Sequence, residues 1–286
     1  MTKTIGEALK EIRKIRGLTQ NQIVTENLTR SSVAKVETNK MNPSYATILE
    51  FCGKLGLSLE EVVYYQNGYS VSEKEKLIYE FRNLKLSTYE DPLNTLIKNM
   101  RESLKENDDI QIIELKAVLE AVKVFTETDN VALAKEKVTF IWDRLEKQDE
   151  WFHFDILILS NIIFVFEPET LINVAEKLMQ EIDKFSCFIS YNRLKIALTM
   201  NIALFLKWAD KMDYALDYIE RGIALGKENE NFIVEYIAYY RKAEYLLYKG
   251  KLKEADELYH KAVGFFEFID NRVVLNDIKN DWVNYH

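Results

Sequence analysis

Nine Gly and three Pro in 286 residues leave very little to break the backbone. An all-β chain of this length needs many tight turns, and those turns are built largely from such residues. Sparse punctuation predicts long helices joined by short loops, an all-α fold. Some 48% of the residues are apolar, so the chain can bury a substantial core. Its length suits one large or two ordinary domains.

Other features narrow the function. Two cysteines, Cys52 and Cys187, cannot supply a disulfide framework, which suits a reducing compartment. Three histidines, His153, His260 and His286, leave little for zinc or His-based catalysis, and neither metal nor cofactor is expected. The N-terminus lacks the apolar core of a signal peptide. The longest apolar run, Phe154 to Phe166, contains Asp155, Ser160 and Asn161 and is too short to span a bilayer. A cytoplasmic protein with no membrane partner is expected. No Gly-rich phosphate loop, Ser/His/Asp set, Cys/His metal spacing or His-Glu-x-x-His motif is present, so no catalytic residue is assigned and no enzyme is expected.

The net charge of −8 is unevenly spread. Residues 1–66 carry nine Lys/Arg against seven Asp/Glu, a net of +2, while the other 220 carry 29 against 39, a net of −10. Phosphate contact needs cations, so any nucleic-acid binding must come from the first 66 residues.

Five short helices can be read there. Ile5, Leu9, Ile12 and Ile15 share a helical face, and Gly17 closes that helix. Thr19-Gln20-Asn21-Gln22 is a capping box opening a short helix through Glu26. Thr29 caps a third helix, Arg30 to Glu37; Ser44 caps a fourth, about Tyr45 to Leu55; Ser58-Leu59-Glu60-Glu61 opens a fifth that ends near Tyr65. A tight turn between the second and third helices is the pattern of a helix-turn-helix.

Gly17-Leu18-Thr19-Gln20, Thr29-Arg30-Ser31-Ser32-Val33-Ala34-Lys35-Val36-Glu37, Asn42-Pro43-Ser44 and Leu55-Gly56-Leu57-Ser58-Leu59-Glu60-Glu61 follow in order. Together they resemble the phage-repressor (XRE) type of helix-turn-helix over residues 5–65. The resemblance implies that the third helix enters the major groove by its N-terminal end. Arg30, Ser31 and Ser32 then face DNA first, with Lys35 one turn later. Arg can bond guanine in bidentate fashion, and Ser can take either partner. A phosphate contact for Gln20 and a bracing ion pair between Arg13 and Glu37 are also implied. The segment between Gln20 and Val33 is one residue shorter than in many repressors, and Thr38-Asn39 replaces a common Gly. Asn tolerates the left-handed conformation, so that turn is expected to survive.

Asn67-Gly68 and a further capping box, Ser72-Glu73-Lys74-Glu75, put a linker at 67–71 between a DNA-binding domain, 1–66, and a body, 72–286. Helices are expected at about 72–86, 91–106, 109–126, 130–147, 151–166, 169–186, 190–208, 212–227, 231–249, 252–268 and 272–284. Ala175, Ala215 and Ala255 recur every 40 residues, with Ala203 and Ala243 in the preceding helices. The stretch from Ala243 to Ala255 resembles a tetratricopeptide repeat, and Ala203 to Ala215 does so more loosely. The expected architecture is an α-solenoid of such helix pairs, whose first helices line a concave face.

On that register Asn161, Asn201 and Arg241 also lie 40 apart, each on the first helix of its pair, as a polar ladder. A carboxamide carries both donor and acceptor, which suits the main chain of an extended peptide. The alternative is an Asn bonded to a neighbouring helix. Asp155, Lys195 and Glu235 form a second register of alternating sign, read as a salt-bridge row. Most of the sixteen Tyr and fifteen Phe must be core, with Tyr236, Tyr239 and Tyr240 as candidates for the groove or an interface.

An XRE-type head on a helical-repeat body resembles the Rgg/MutR-like regulators, within the RNPP group of peptide-pheromone receptors of Gram-positive bacteria. The shortened Gln22 to Leu28 segment and the run Trp151 to Phe166, with Leu159-Ser160-Asn161, share in that resemblance, as does Asn201 in Leu198-Thr199-Met200-Asn201. It implies a homodimer on double-stranded promoter DNA and a short, mostly apolar signalling peptide in the groove, with Asn161, Asn201, Arg241 and Tyr240 as peptide contacts. Phe265, Phe266, Phe268, Ile269, Val273, Val274, Leu275 and Ile278 exceed what a terminal pair needs and mark the subunit contact. The alternative is a repressor whose body only dimerises or binds a protein, with no peptide ligand.

Overall fold

A computed structural model describes residues 3–84, 90–187 and 191–283. Residues 85 and 86 of the expected 72–86 helix, residues 190 and 284, and His286 lie outside the described residues. Among the described residues there are sixteen α-helices, one 3-10 turn and no strand, an all-α fold. Contacts divide the chain into two units, Met1–Tyr79 and Glu80–His286.

The first unit holds α1 (Ile5–Ile15), α2 (Gln20–Ile23), α3 (Arg30–Glu37), α4 (Tyr45–Leu55) and α5 (Leu59–Gln66). Thr4, Thr29, Ser44 and Ser58 each accept a first-turn N–H with the side-chain oxygen, satisfying donors that a helix start leaves open. The second helix ends at Ile23, short of Glu26. β-Branched Val24 takes extended backbone instead, and Thr25 closes a turn with Leu28 by N–H to O at 3.1 Å and by Leu28 N–H to the Thr25 hydroxyl at 2.9 Å. Leu9, Ile12, Ile23, Leu28, Val33, Val36 and Phe51 fill the space between the five helices. The α1–α3 approach is close: a Cβ on Gly6 would stand 2.1 Å from the Val36 carbonyl oxygen. Asn39, just past α3, has φ 57°, the left-handed turn expected of it, and accepts from the Thr4 hydroxyl at 2.7 Å.

Helix α6 (Glu73–Asn83) straddles the division between the units. The second unit continues through α7 (Glu90–Ser103), α8 (Ile110–Thr128), α9 (Val131–Leu145), α10 (His153–Ile162), the 3-10 turn Ile163–Val165 and α11 (Pro168–Asp183). It ends with α12 (Tyr191–Trp208), α13 (Met212–Glu228), α14 (Phe232–Tyr248), α15 (Leu252–Phe268) and α16 (Arg272–Val283). From α8 on, helices pack as successive pairs, and the repeat alanines Ala175, Ala203, Ala215, Ala243 and Ala255 are all buried where helices meet. Helices α13 and α14 approach closely: a Cβ on Gly226 would lie 2.8 Å from the Glu235 nitrogen.

Helix α10 breaks the pattern. It has 10 residues, against 19 in α8 and 18 in α12. Pro168 opens α11 and holds Glu167 extended (φ −60°, ψ 151°), and Phe166 is extended as well, so only a three-residue 3-10 turn follows Ile162. Its start is held firmly. The Phe152 N–H donates to Asp155 at 3.0 Å, Asp155 pairs with Arg144 at 3.0 Å, and the Arg144 fork grips buried Glu114 at 2.8 and 2.9 Å. One guanidinium thereby ties α8, α9 and α10 together.

The expected row of Asp155, Lys195 and Glu235 does not form. Asp155 goes to Arg144, Lys195 to Asp183 at 2.7 Å, and Glu235 accepts from the Tyr239 hydroxyl at 2.9 Å. Residues one repeat apart sit on different helices, whose axes pack no closer than roughly 8–10 Å, while partners on the same helix or on the helix just before it in the chain are nearer.

Candidate functional site

Arg30, Ser31 and Lys35 project from α3 into solvent, and neither cation has an ion-pair partner among the described residues. Ser32 is half-buried; its hydroxyl lies 3.0 Å from that of Thr29 and its N–H donates to the same oxygen, so it serves the helix cap. Beneath them the Arg13 guanidinium spans Glu37 with Nε and Nη2 at 2.5 and 2.7 Å and donates to the Leu18 carbonyl at 2.6 Å. Gln20 donates to the same carboxylate at 2.9 Å. Burial pushes the Glu37 pKa up, but the hydrogen bonds from Arg13 and Gln20 outweigh it, and the carboxyl is held below its ordinary value. A carboxamide has two donor hydrogens, so Gln20 retains one for an outside oxygen such as a phosphate. The end of α1, the start of α2 and the end of α3 are thus locked together through one buried carboxylate, and this fixes the angle at which α3 is presented.

In the second unit Asn161 and Asn201 come together, on α10 and α12. The Asn161 amide donates to the Leu157 carbonyl at 2.8 Å and to the Ser160 hydroxyl at 3.3 Å. The Asn201 amide reaches across to the Ser160 carbonyl at 3.2 Å. Both side chains are half-buried. Their nitrogens are committed to backbone, as an internal Asn would commit them, but both Oδ1 atoms are left as acceptors.

Arg241 stands apart from that pair. It bonds Glu244 at 2.8 Å and lies 3.7 Å from Asp281, while Lys207 takes the other Glu244 oxygen at 2.5 Å. Burial would lower the Arg241 pKa, and neighbouring Glu244 more than reverses this. Tyr240 corrects an expectation: it is 1% exposed, packed in the core with Phe266 and Trp282 rather than at a groove, because it falls on the face of α14 that α15 and α16 cover. Tyr236 is likewise engaged, stacked on Phe265 at 4.0 Å, and Tyr239 lies under the Lys261 ammonium at 3.7 Å.

A larger feature went unread in the sequence. Where α10 stops short, a notch of 980 Å³ opens, lined by Phe125, Phe164, Phe166, Phe205 and Trp208 with Lys135 at its wall. Four rings form a closed circuit: Phe125–Phe164 at 5.1 Å, Phe164–Phe205 at 5.7 Å, Phe205–Trp208 at 5.3 Å and Trp208–Phe125 at 5.9 Å. Trp208 remains 55% exposed. Phe164 follows Asn161 by three residues, in the 3-10 turn after α10, and Phe205 follows Asn201 by four on one face of α12. A signal existed: Phe125, Val165 and Phe205 recur at the same 40-residue spacing.

Of the apolar residues assigned to subunit contact, Phe266 and Ile278 are core. Phe268 (87% exposed), Ile269 and Val273 are on the surface. No helix among the described residues is long and apolar enough to cross a membrane.

Comparison with known proteins places these features. Residues 93–280 match the family model "HTH-type transcriptional regulator Rgg, C-terminal domain", and residues 6–71 match a helix-turn-helix domain model. An immunity repressor protein of Bacillus phage phi105 is 30% identical over 125 residues, which is 43% of this chain and 81% of the repressor. Among solved structures, the SHP pheromone receptor Rgg2 of Streptococcus dysgalactiae superposes with a TM-score of 0.70 at 17% identity, covering 99% of this chain and 100% of its own. ComR of S. thermophilus, solved with DNA and its signalling peptide ComS, gives 0.69 at 16% identity, covering 99% of both chains. At these identities the two structures speak for the fold.

Proposed function

Because this chain belongs to the Rgg family of helix-turn-helix transcriptional regulators, we propose that it acts in the cytoplasm as a homodimeric, non-enzymatic regulator whose body binds a short apolar signalling peptide. Arg30, Ser31 and Lys35 are its contacts in the major groove, Ser32 shapes the start of that helix, and Gln20 holds a phosphate. The peptide lies along the first helices of the pairs, across Asn161 and Asn201. Similar structures support this reading: Rgg2 is a pheromone receptor, and ComR binds both DNA and a peptide.

The observation that carries the peptide reading is the Asn161/Asn201 pair. Both amide nitrogens donate to backbone carbonyls, of Leu157 and Ser160, so each side chain is oriented with its oxygen presented. Two fixed acceptors on neighbouring helices suit successive N–H groups of an extended chain. The aromatic notch one turn further along offers a place for a large apolar side chain. Peptide binding alters the dimer by favouring one subunit arrangement over another.

Affinity selection from a random octapeptide library tests the reading. Wild-type protein is expected to enrich apolar peptides, and Asn161→Ala/Asn201→Ala to lose the enrichment while keeping its affinity for promoter DNA. Equal enrichment by both proteins would show the pair to be internal, and would favour a body that only dimerises.

A further inference from the structure

Helix α16 continues the register of the first helices. Asp277 and Asp281 lie 40 residues beyond Ile237 and Arg241, which lie 40 beyond Ala197 and Asn201. The register holds in space at this end: Asp281 stands 3.7 Å from Arg241, and Lys207 of α12 shares Glu244 with Arg241. The row that carries Asn161 on α10 therefore ends in two carboxylates one turn apart on α16.

Their charge is not balanced. Lys207 and Arg241 lie 2.5 and 2.8 Å from buried Glu244. Glu244 cancels one of these positive charges and Asp281 the other, which leaves Asp277 with no ion-pair partner among the described residues. Burial raises the Asp277 pKa, Asp281 adds to this, and Arg241 offsets only part of it. A second group there also lacks a partner. The Arg241 guanidinium lies 5.4 Å from the Tyr240 ring, and the buried Tyr240 hydroxyl makes no hydrogen bond among the described residues. Burial raises its pKa and Glu244 and Asp281 add to this against Arg241, so the phenol is neutral and sits within the same set of charges. Buried polar groups are ordinarily partnered. Acceptors outnumber donors here by one full negative charge and one phenol oxygen.

Length decides which part of a ligand arrives at this point. From α10 to α16 there are three steps between neighbouring first helices, each roughly 8–10 Å. An extended octapeptide spans about 26–29 Å, so one end over Asn161 brings the other end to Asp277. The two ends of a peptide are an ammonium and a carboxylate, and the ammonium supplies both the missing positive charge and three donors.

We propose that Asp277, with Asp281 beside it, receives a primary ammonium of the peptide, its free N-terminus, so that the peptide runs from α16 toward α10. This rests on the reading of the body as a peptide receptor. A lysine side chain offers the same chemistry, and the test separates the two sources. The full-length protein is used for affinity selection from three octapeptide libraries of otherwise uncharged side chains: one with a free N-terminus, one N-acetylated, and one N-acetylated with a single lysine. The wild-type protein is expected to retain the free peptides at least about tenfold over the acetylated ones, and Asp277→Asn to bring the two within about twofold while still retaining acetylated peptides. Lysine peptides retained as well as the free ones, with that retention lost in Asp277→Asn, would keep the ammonium at Asp277 and assign it to a side chain. Equal retention of free and acetylated peptides by the wild-type protein, with no gain from lysine, would overturn the assignment and leave the peptide reading standing. So would a preference for the ammonium that Asp277→Asn leaves unchanged. Retention of none of the libraries would overturn both.

Discussion

Glu37 is where the smallest change has the longest reach. Its carboxylate receives Arg13 and Gln20 and sets how α3 is offered to DNA. A carboxylate with a depressed pKa contributes stability that is complete above its unfolded value, ordinarily 4.5, and is lost as pH falls through the lower folded value. In the full chain, hydrogen exchange of α1 and α3 amides is therefore expected to accelerate as pH drops below about 4.5, after correction for intrinsic rates. Glu37→Gln should flatten that dependence. Arg13→Ala leaves the buried charge without its main partner and should destabilise the first unit by about 3–5 kcal/mol, read from the same exchange at neutral pH. Lys35 carries no structural duty. Lys35→Ala should leave exchange unchanged, weaken promoter binding, and reduce the slope of log affinity against log salt by about 1, measured by anisotropy. Residues whose roles depend on near neighbours, such as the caps Thr29, Ser44 and Ser58, are legible in sequence because the partner is three residues away. The role of Tyr240 is not, because one step of 100° around α14 separates core from surface, and the sequence spacing does not say which faces α15 and α16 cover.

Helices follow local chemistry closely. From α7 onward, their bounds lie within three residues of those expected from periodicity and capping, with α10 the exception. That exception was present in Pro168, but its effect depends on both Phe166 and Glu167 being extended, and an unbroken apolar run hides this. Helix–helix distance is harder to read than helix extent. Gly226 and Gly264 both sit inside helices, yet a Cβ would meet the Glu235 backbone at one and nothing within 4 Å at the other. Gly226→Ala must force α13 and α14 apart, and a loss of about 1–3 kcal/mol is expected. Gly264→Ala should gain roughly 0.5–1 kcal/mol, since it only removes backbone freedom from the unfolded chain. All four tryptophans, Trp142, Trp151, Trp208 and Trp282, lie in the second unit, so urea unfolding followed by their fluorescence reads both variants there.

Across the whole molecule charge is divided: residues 1–66, which hold the helix-turn-helix, carry a net of +2, and the other 220 carry a net of −10. Phe268, Ile269 and Val273 leave an apolar surface near the C-terminus. Phe268→Glu is expected to shift the protein toward monomer in sedimentation and to weaken binding to a two-half-site operator by at least about tenfold, with little effect on a single half-site. The repeat register could be read from five alanines, and the paired Asn161 and Asn201 from the same count. The notch could not, because it is made by what α10 lacks. That shortfall has a further consequence. In a stack of repeats each unit ordinarily feels only its immediate neighbours, so stability is a sum of local terms and the stack can fray from either end. Here Phe125 of α8 meets Trp208 of α12, past the intervening pair. Three consecutive pairs are joined by a contact that skips the middle one. They should open to hydrogen exchange together, as one cooperative block within an otherwise divisible array.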